Sequence, residues 1–201
     1  MKTMSMSPIW LRLRRCAVDL LEDRSGIAAT EFAVIVPVML VMFFGTVEFS
    51  SGVAVDRKVT LMARTLSDLT SQSVSVSNTD LTNFFAASTG IMTPYSSTPT
   101  SSTITELWVD PSTLKARVQW SQGTAPRATS SIVTIPTALA VGGTYLIFSE
   151  VSYLYKPTIG YVMAKAGVNL SDMAYTRPRQ SACVIYPTPP AGTTLPNCPQ
   201  L

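Results

Sequence analysis

Apolar positions are distributed very unevenly along this chain. Residues 32–47 read FAVIVPVMLVMFFGTV, sixteen positions without a charge, and extending back to Ile27 gives 21 residues interrupted only by Thr30 and Glu31. At 1.5 Å rise per residue, a helix of that length covers about 30 Å, the thickness of a bilayer's hydrocarbon core. No later stretch approaches it, so the pattern predicts one membrane-spanning helix over residues 27–48. A secretory signal peptide is the competing reading. It fits poorly, because the polar leader is 26 residues long, the apolar run is too long and no A-x-A site follows promptly.

Beyond the span the period remains helical. Val55, Val59, Met62, Leu66 and Leu69 recur at spacings of four, three, four and three, which puts them on one stripe. Asp56, Arg57, Lys58, Arg64 and Asp68 fall mostly elsewhere. Residues 49–72 therefore read as an extended amphipathic helix, too short for an independent coiled coil. Its stripe is expected to cover the chain's own sheet, with packing against another subunit as the alternative. Pro37 removes a backbone donor inside the span and predicts a kink or local loosening there.

From residue 73 to 201 the pattern changes to short mixed elements. A Ser/Thr-rich stretch leads into a short helix with Asp80 as its expected N-cap and Phe84 and Phe85 available for a core. Strands are expected over 104–109, 114–120, 131–135, 144–156 and 168–176. The second alternates, with Leu114, Ala116, Val118 and Trp120 inward and Lys115, Arg117 and Gln119 outward. The fourth places Tyr145, Ile147, Val151, Tyr153 and Tyr155 on one face. A helix followed by strands predicts an α+β domain: an antiparallel sheet with one face open, packed on the outer half of the long helix and ending in a Pro-rich tail. The aromatic stripe of Tyr145, Tyr153 and Tyr155, with Trp108 and Trp120, is expected to be core and cross-strand packing before it is a ligand platform. Arg177 and Arg179 read as a solvated end.

Charge and composition narrow the function classes. Charged residues make up 13% of the chain, about half the roughly 25% usual in soluble domains, while Ser and Thr account for 48 of 201 positions. The net charge of +3 is small and dispersed, which argues against nucleic acid. There is no histidine, which removes Ser-His-Asp and Cys-His nucleophiles and His-ligated zinc. No phosphate-binding glycine loop or nucleophile elbow occurs, and neither a cofactor nor a metal is implied. An enzyme is not expected, and a membrane-tethered hydrolase using carboxylates is the remote third class. Residues 1–26 carry five basic residues (Lys2, Arg12, Arg14, Arg15, Arg24) against three acidic ones, so the leader is expected in the cytoplasm and the folded domain outside. Cysteine usage agrees: Cys16 sits in the leader, while Cys183 and Cys198 enclose 14 tail residues that can close as a disulfide loop in a bacterial periplasm.

The junction between leader and span is the most informative segment. It reads Arg24-Ser25-Gly26-Ile27-Ala28-Ala29-Thr30-Glu31-Phe32, with a carboxylate five positions into the apolar run. A carboxylate near the end of a span is costly and calls for a partner. A new α-amino group at Ile27, if the chain were cut after Gly26, would lie about one helical turn from Glu31. This junction, with Pro37 and the following Gly45-x-x-Glu48, resembles the prepilin-like N-terminus of the TadE-like family of Tad (Flp-type) pilus assembly proteins and pseudopilins. Processed Flp-type pseudopilins typically carry Tyr after the Glu, where this chain has Phe32.

The resemblance implies a prepilin peptidase cutting between Gly26 and Ile27, with Glu31 and Phe32 registering the subunit in an assembly. It also implies a pilin-like α+β layout, residence in the bacterial inner membrane, and other pilin or Tad pilus assembly subunits as partners. The expected function is a membrane-inserted pseudopilin-like subunit in pilus assembly. The alternative is an uncleaved single-span protein whose extracytoplasmic domain anchors or guides the pilus.

Overall fold

A computed structural model describes Cys16, Val18, Asp19 and residues 25–157, 167–193 and 196–200. It has a long N-terminal helix, α1 (Ser25–Ser71), then α2 (Asn78–Thr89) and five strands: β1 (Thr100–Val109), β2 (Ala116–Gly123), β3 (Ile132–Val133), β4 (Tyr145–Tyr155) and β5 (Val168–Thr176). The chain divides into two compact units, Met1–Val47 and Glu48–Leu201. The architecture is α+β, an apolar helix followed by an antiparallel sheet.

In the first unit, α1 is helical from Ser25 and continues through Pro37 without a break. It is the one helix among the described residues long and apolar enough to cross a membrane, and its most apolar window buries nothing against the rest of the chain. The hydroxyls in this segment are satisfied locally. Thr30 Oγ1 donates to the Ile27 carbonyl and Thr46 Oγ1 to the Met42 carbonyl, each at 2.8 Å, which removes the cost of bare hydroxyls in an apolar setting.

In the second unit, α1 presents Val55, Val59, Met62, Ala63 and Leu66 to the sheet, all without solvent exposure. They meet Ile104, Trp120, Ile147, Val151 and Tyr153, so the predicted stripe covers the chain's own sheet. Strand order is β3-β2-β1-β4-β5, with every neighbouring pair antiparallel. Two serines fix how α1 lies on β4: Ser149 Oγ donates to the Ala63 carbonyl at 2.6 Å and Ser67 Oγ to the Ile147 carbonyl at 3.2 Å.

Five local expectations need correction. The register between β1 and β2 shifts at Glu106/Leu107, pairing Glu106 with Trp120 but Leu107 with Val118. The resulting bulge at Gln119 breaks the alternation, so Ala116 and Val118 face one side of the sheet and Trp120 the other. Leu114 does not point inward. It is half exposed, at φ 54° in the tight turn, where Asp110 accepts hydrogen bonds from the Ser112 amide and hydroxyl and from Thr113. These bonds, Ser112's first, hold the Asp110 carboxyl down at about 2.

The helix α2 is capped by Ser77, with Asp80 as the returning partner of a capping box, because the box satisfies two amides where a lone Asp80 cap would satisfy one. The sheet's second face is not left open. Leu107, Val109, Val118, Leu146 and Phe148 form a smaller core under the β2–β4 connection, packed with Ile135 and Leu139. The third strand shortens to two residues, since the chain leaves β2 after Val133 to make that cover.

Candidate functional site

Two regions carry polar chemistry against an apolar background: the start of α1, and a strap formed by the C-terminal segment over β1 and β2. At the start of α1, Gly26 and Ile27 are exposed, and Ile27 leaves 56% of its surface open. A side chain built at Gly26 would meet nothing within 4 Å. The fold therefore gives no packing reason for glycine there, although glycine in a helix costs roughly 0.5–1 kcal/mol relative to alanine. One turn further on, Glu31 is exposed and has no hydrogen-bond or ion-pair partner among the described residues, and Phe32 beside it is 68% exposed. The helix thus presents the junction residues outward and uses none of them to hold itself together.

Where the second unit begins, Tyr155 Oη donates to Glu48 Oε2 at 3.0 Å. The tyrosine's own burial, and then the adjacent carboxylate, push its phenol up to about 12, so it remains a donor at any physiological pH. This tie joins residues 107 positions apart and gives Glu48 a partner within the chain.

The strap is the feature that sequence reasoning missed. Residues 181–188 run over the end of the sheet: Ile185 bridges to Ser75, the Val76 amide donates to the Ile185 carbonyl at 2.9 Å, and Cys183 is disulfide-bonded to Cys198 with 5.8 Å between Cα atoms. Beneath it lies Glu106, fully buried on the central strand. Its Oε1 accepts from the Val184 amide at 2.6 Å, while Trp120 Nε1 donates to the Val184 carbonyl at 2.8 Å. One residue of the strap is thereby clasped through both its amide and its carbonyl.

Among the described residues Glu106 Oε2 and Trp108 Nε1 are buried without a partner. Burial raises the Glu106 carboxyl to about 8, against the pull of the Val184 amide and the Trp120 indole, so it is held protonated near neutrality. Glu106 shares a strand face with Ile104 just as Glu150 does with Phe148, so strand alternation alone does not single it out.

The aromatic stripe is structural. Tyr145, Tyr153 and Trp120 are buried, Tyr145 Oη donates to the Pro199 carbonyl at 2.8 Å, and Trp120 packs against Tyr186. Arg179 is not merely a solvated end, because it forms an ion pair with Asp68 and its amide donates to the Ser71 carbonyl at 2.8 Å. On the second face, Arg127 forks onto both Glu150 oxygens at 2.8 and 2.6 Å and lies over the Phe148 ring. That pair satisfies itself and leaves a shallow hollow edged by Ser101, Thr103 and Ser171. Cys16 is exposed and free.

No curated protein and no solved structure gives a significant match to the chain. Residues 26–66, about a fifth of the chain, match the family model described as TadE-like protein, and that segment lies wholly within α1.

Proposed function

We propose that the protein is a membrane-inserted, pseudopilin-like subunit that takes part in assembly of a Tad (Flp-type) pilus. The observation that carries this reading is the coincidence of three features at one point. The TadE-like match begins at Gly26, that glycine has no packing role, and the candidate membrane span begins at the same residue, with Glu31 one turn in. A glycine that the fold does not need is explained by recognition in trans, here by a prepilin peptidase cutting between Gly26 and Ile27. The new amine of Ile27, or that of a neighbouring subunit, then neutralises Glu31 in the apolar phase, and Phe32 packs beside it. The basic leader places the N-terminus in the cytoplasm and the sheet domain in the periplasm, tethered to the inner membrane.

The test is co-expression with the cognate prepilin peptidase and mass spectrometry of the N-terminus. A mature start at Ile27, abolished in Gly26→Val, is expected, with Glu31→Ala still processed yet defective in piliation. An intact leader in the pilus-associated protein would sink the processed-subunit reading. It would establish the uncleaved anchor instead, a reading favoured by the Gly26–Ile27 bond already lying inside a regular helix.

A further inference from the structure

Three contacts give the sheet domain a definite direction along α1. Glu48 meets Tyr155, Ala63 meets Ser149 and Ser67 meets Ile147, so β4 runs backwards as α1 runs forwards. From Glu48 to Ala63 the helix climbs about 22 Å, and from Tyr155 to Ser149 the strand covers about 20 Å, so the two stay in step. One end of the domain is therefore the Glu48–Tyr155 end, and the other carries the β1–β2 turn and the disulfide-tied strap.

Both ends expose apolar side chains, Leu114 by 52%, Ile132 by 54% and Val141 by 45% at the strap end, and what sets the Glu48–Tyr155 end apart is its place in the chain, directly after the apolar run. At the Glu48–Tyr155 end, Phe49 leaves 74% of its surface open, Val53 39%, Leu154 38% and Val168 41%. Val168 is the residue paired with Tyr155, and Leu154 is its neighbour, so these four side chains ring one end of the sheet and helix. Tyr95 joins them on a loop that Lys58 pins by donating to the Ile91 and Thr93 carbonyls at 2.8 Å. Exposed Arg57 and Lys156 supply cations toward the same end, with exposed Asp56 beside Arg57. Apolar side chains left open to this degree raise the free energy of a domain surrounded by water. Glu48 follows directly on Val47, where the apolar run ends, so chain connectivity alone puts this end of the domain beside any bilayer that the run crosses.

We infer that the Phe49, Val53, Leu154, Val168 and Tyr95 rim rests in the headgroup layer of the membrane, with Arg57 and Lys156 toward lipid phosphates. Aromatic and aliphatic side chains ringed by basic residues are what the interfacial layer stabilises. The partner is the lipid surface itself, and the consequence is orientation: the strap end is held outward, about 30 Å away by the ten residues of β1, where other subunits can reach it. This inference rests on the membrane reading above.

Its test uses the full chain carrying Cys16→Ser, reconstituted in phosphatidylethanolamine/phosphatidylglycerol nanodiscs. A nitroxide is attached at Leu154→Cys, at Val168→Cys, or at Lys115→Cys at the opposite end, and its collision rates with oxygen and with an aqueous nickel chelate are compared. The oxygen-to-nickel ratio is expected to be several-fold higher at 154 and 168 than at 115. Equal, water-like ratios at all three sites, in a chain that resists carbonate extraction from liposomes, would overturn the rim while leaving the span intact. Release of the whole chain by carbonate would overturn the membrane reading and the rim together.

Discussion

A carboxyl held neutral inside a sheet makes stability depend on pH in a particular direction. Glu106 has an ordinary value of 4.5 and a folded value of about 8, so the folded state holds its proton where the unfolded chain has released it. Stability from this group is therefore full below about pH 4.5, falls as pH rises from there to about 8, and is level above. The loss across that window is at most about 5 kcal/mol, since each tenfold difference in proton affinity is worth about 1.36 kcal/mol. The absence of histidine keeps this window clear of imidazole titration, so the slope can be assigned. Thermal unfolding of the full chain in detergent, followed by near-UV circular dichroism, is expected to show falling stability between pH 5 and 8. In Glu106→Gln the slope should flatten and the protein should gain on wild type chiefly at the alkaline end. An unchanged slope in that variant would remove Glu106 from the account. Nothing local in the sequence distinguishes this carboxyl from Glu150, which is equally within a strand but faces Arg127 and solvent.

At the scale of elements, the α1 stripe was legible and the β2 alternation was not, for one physical reason. A helix's buried face is set by its own 3.6-residue period, so Val55, Val59, Met62 and Leu66 could be picked out without knowing what they meet. A bulge is a property of two strands, and Gln119 is displaced only because Glu106 and Leu107 fix a register that the β2 sequence does not encode. The same distinction separates the candidate sites. Gly26, Ile27 and Glu31 are close together in the chain and could be read from it, whereas the Tyr155–Glu48 and Glu106–Val184 ties join residues 107 and 78 positions apart. The stripe itself makes a graded prediction. Leu66→Ala should cost about 2–5 kcal/mol, since Leu66 has no exposure and leaves a cavity. Leu61→Ala, at a half-exposed position on the same helix, should stay within about 0.5 kcal/mol. Equal losses at both positions, measured by the same thermal unfolding, would mean that the outer face of α1 is buried against another copy.

For the whole molecule, the strap links three features that the sequence presents separately: a Pro-rich tail, a pair of cysteines and a carboxyl in the central strand. The disulfide closes a loop of 14 intervening residues, a constraint on the unfolded chain of about 3 kcal/mol by loop entropy. Its structural reach is longer, because Cys183 precedes Val184, whose amide and carbonyl are clasped by Glu106 and Trp120. Opening the disulfide should therefore do two things at once. It should lower stability by about 3 kcal/mol, and it should let water reach Glu106, pulling its value back toward 4.5 and shrinking the pH slope. Paired Cys183→Ser and Cys198→Ser replacement tests both in one experiment, with wild type and Glu106→Gln titrated alongside. A loss of stability that leaves the full pH slope in place would show that the strap stays seated without its disulfide. In that case the hydrogen bonds that Val76 and Trp120 donate to the strap and the one that Glu106 accepts from Val184 suffice to hold it, and the cysteines act only on the unfolded chain.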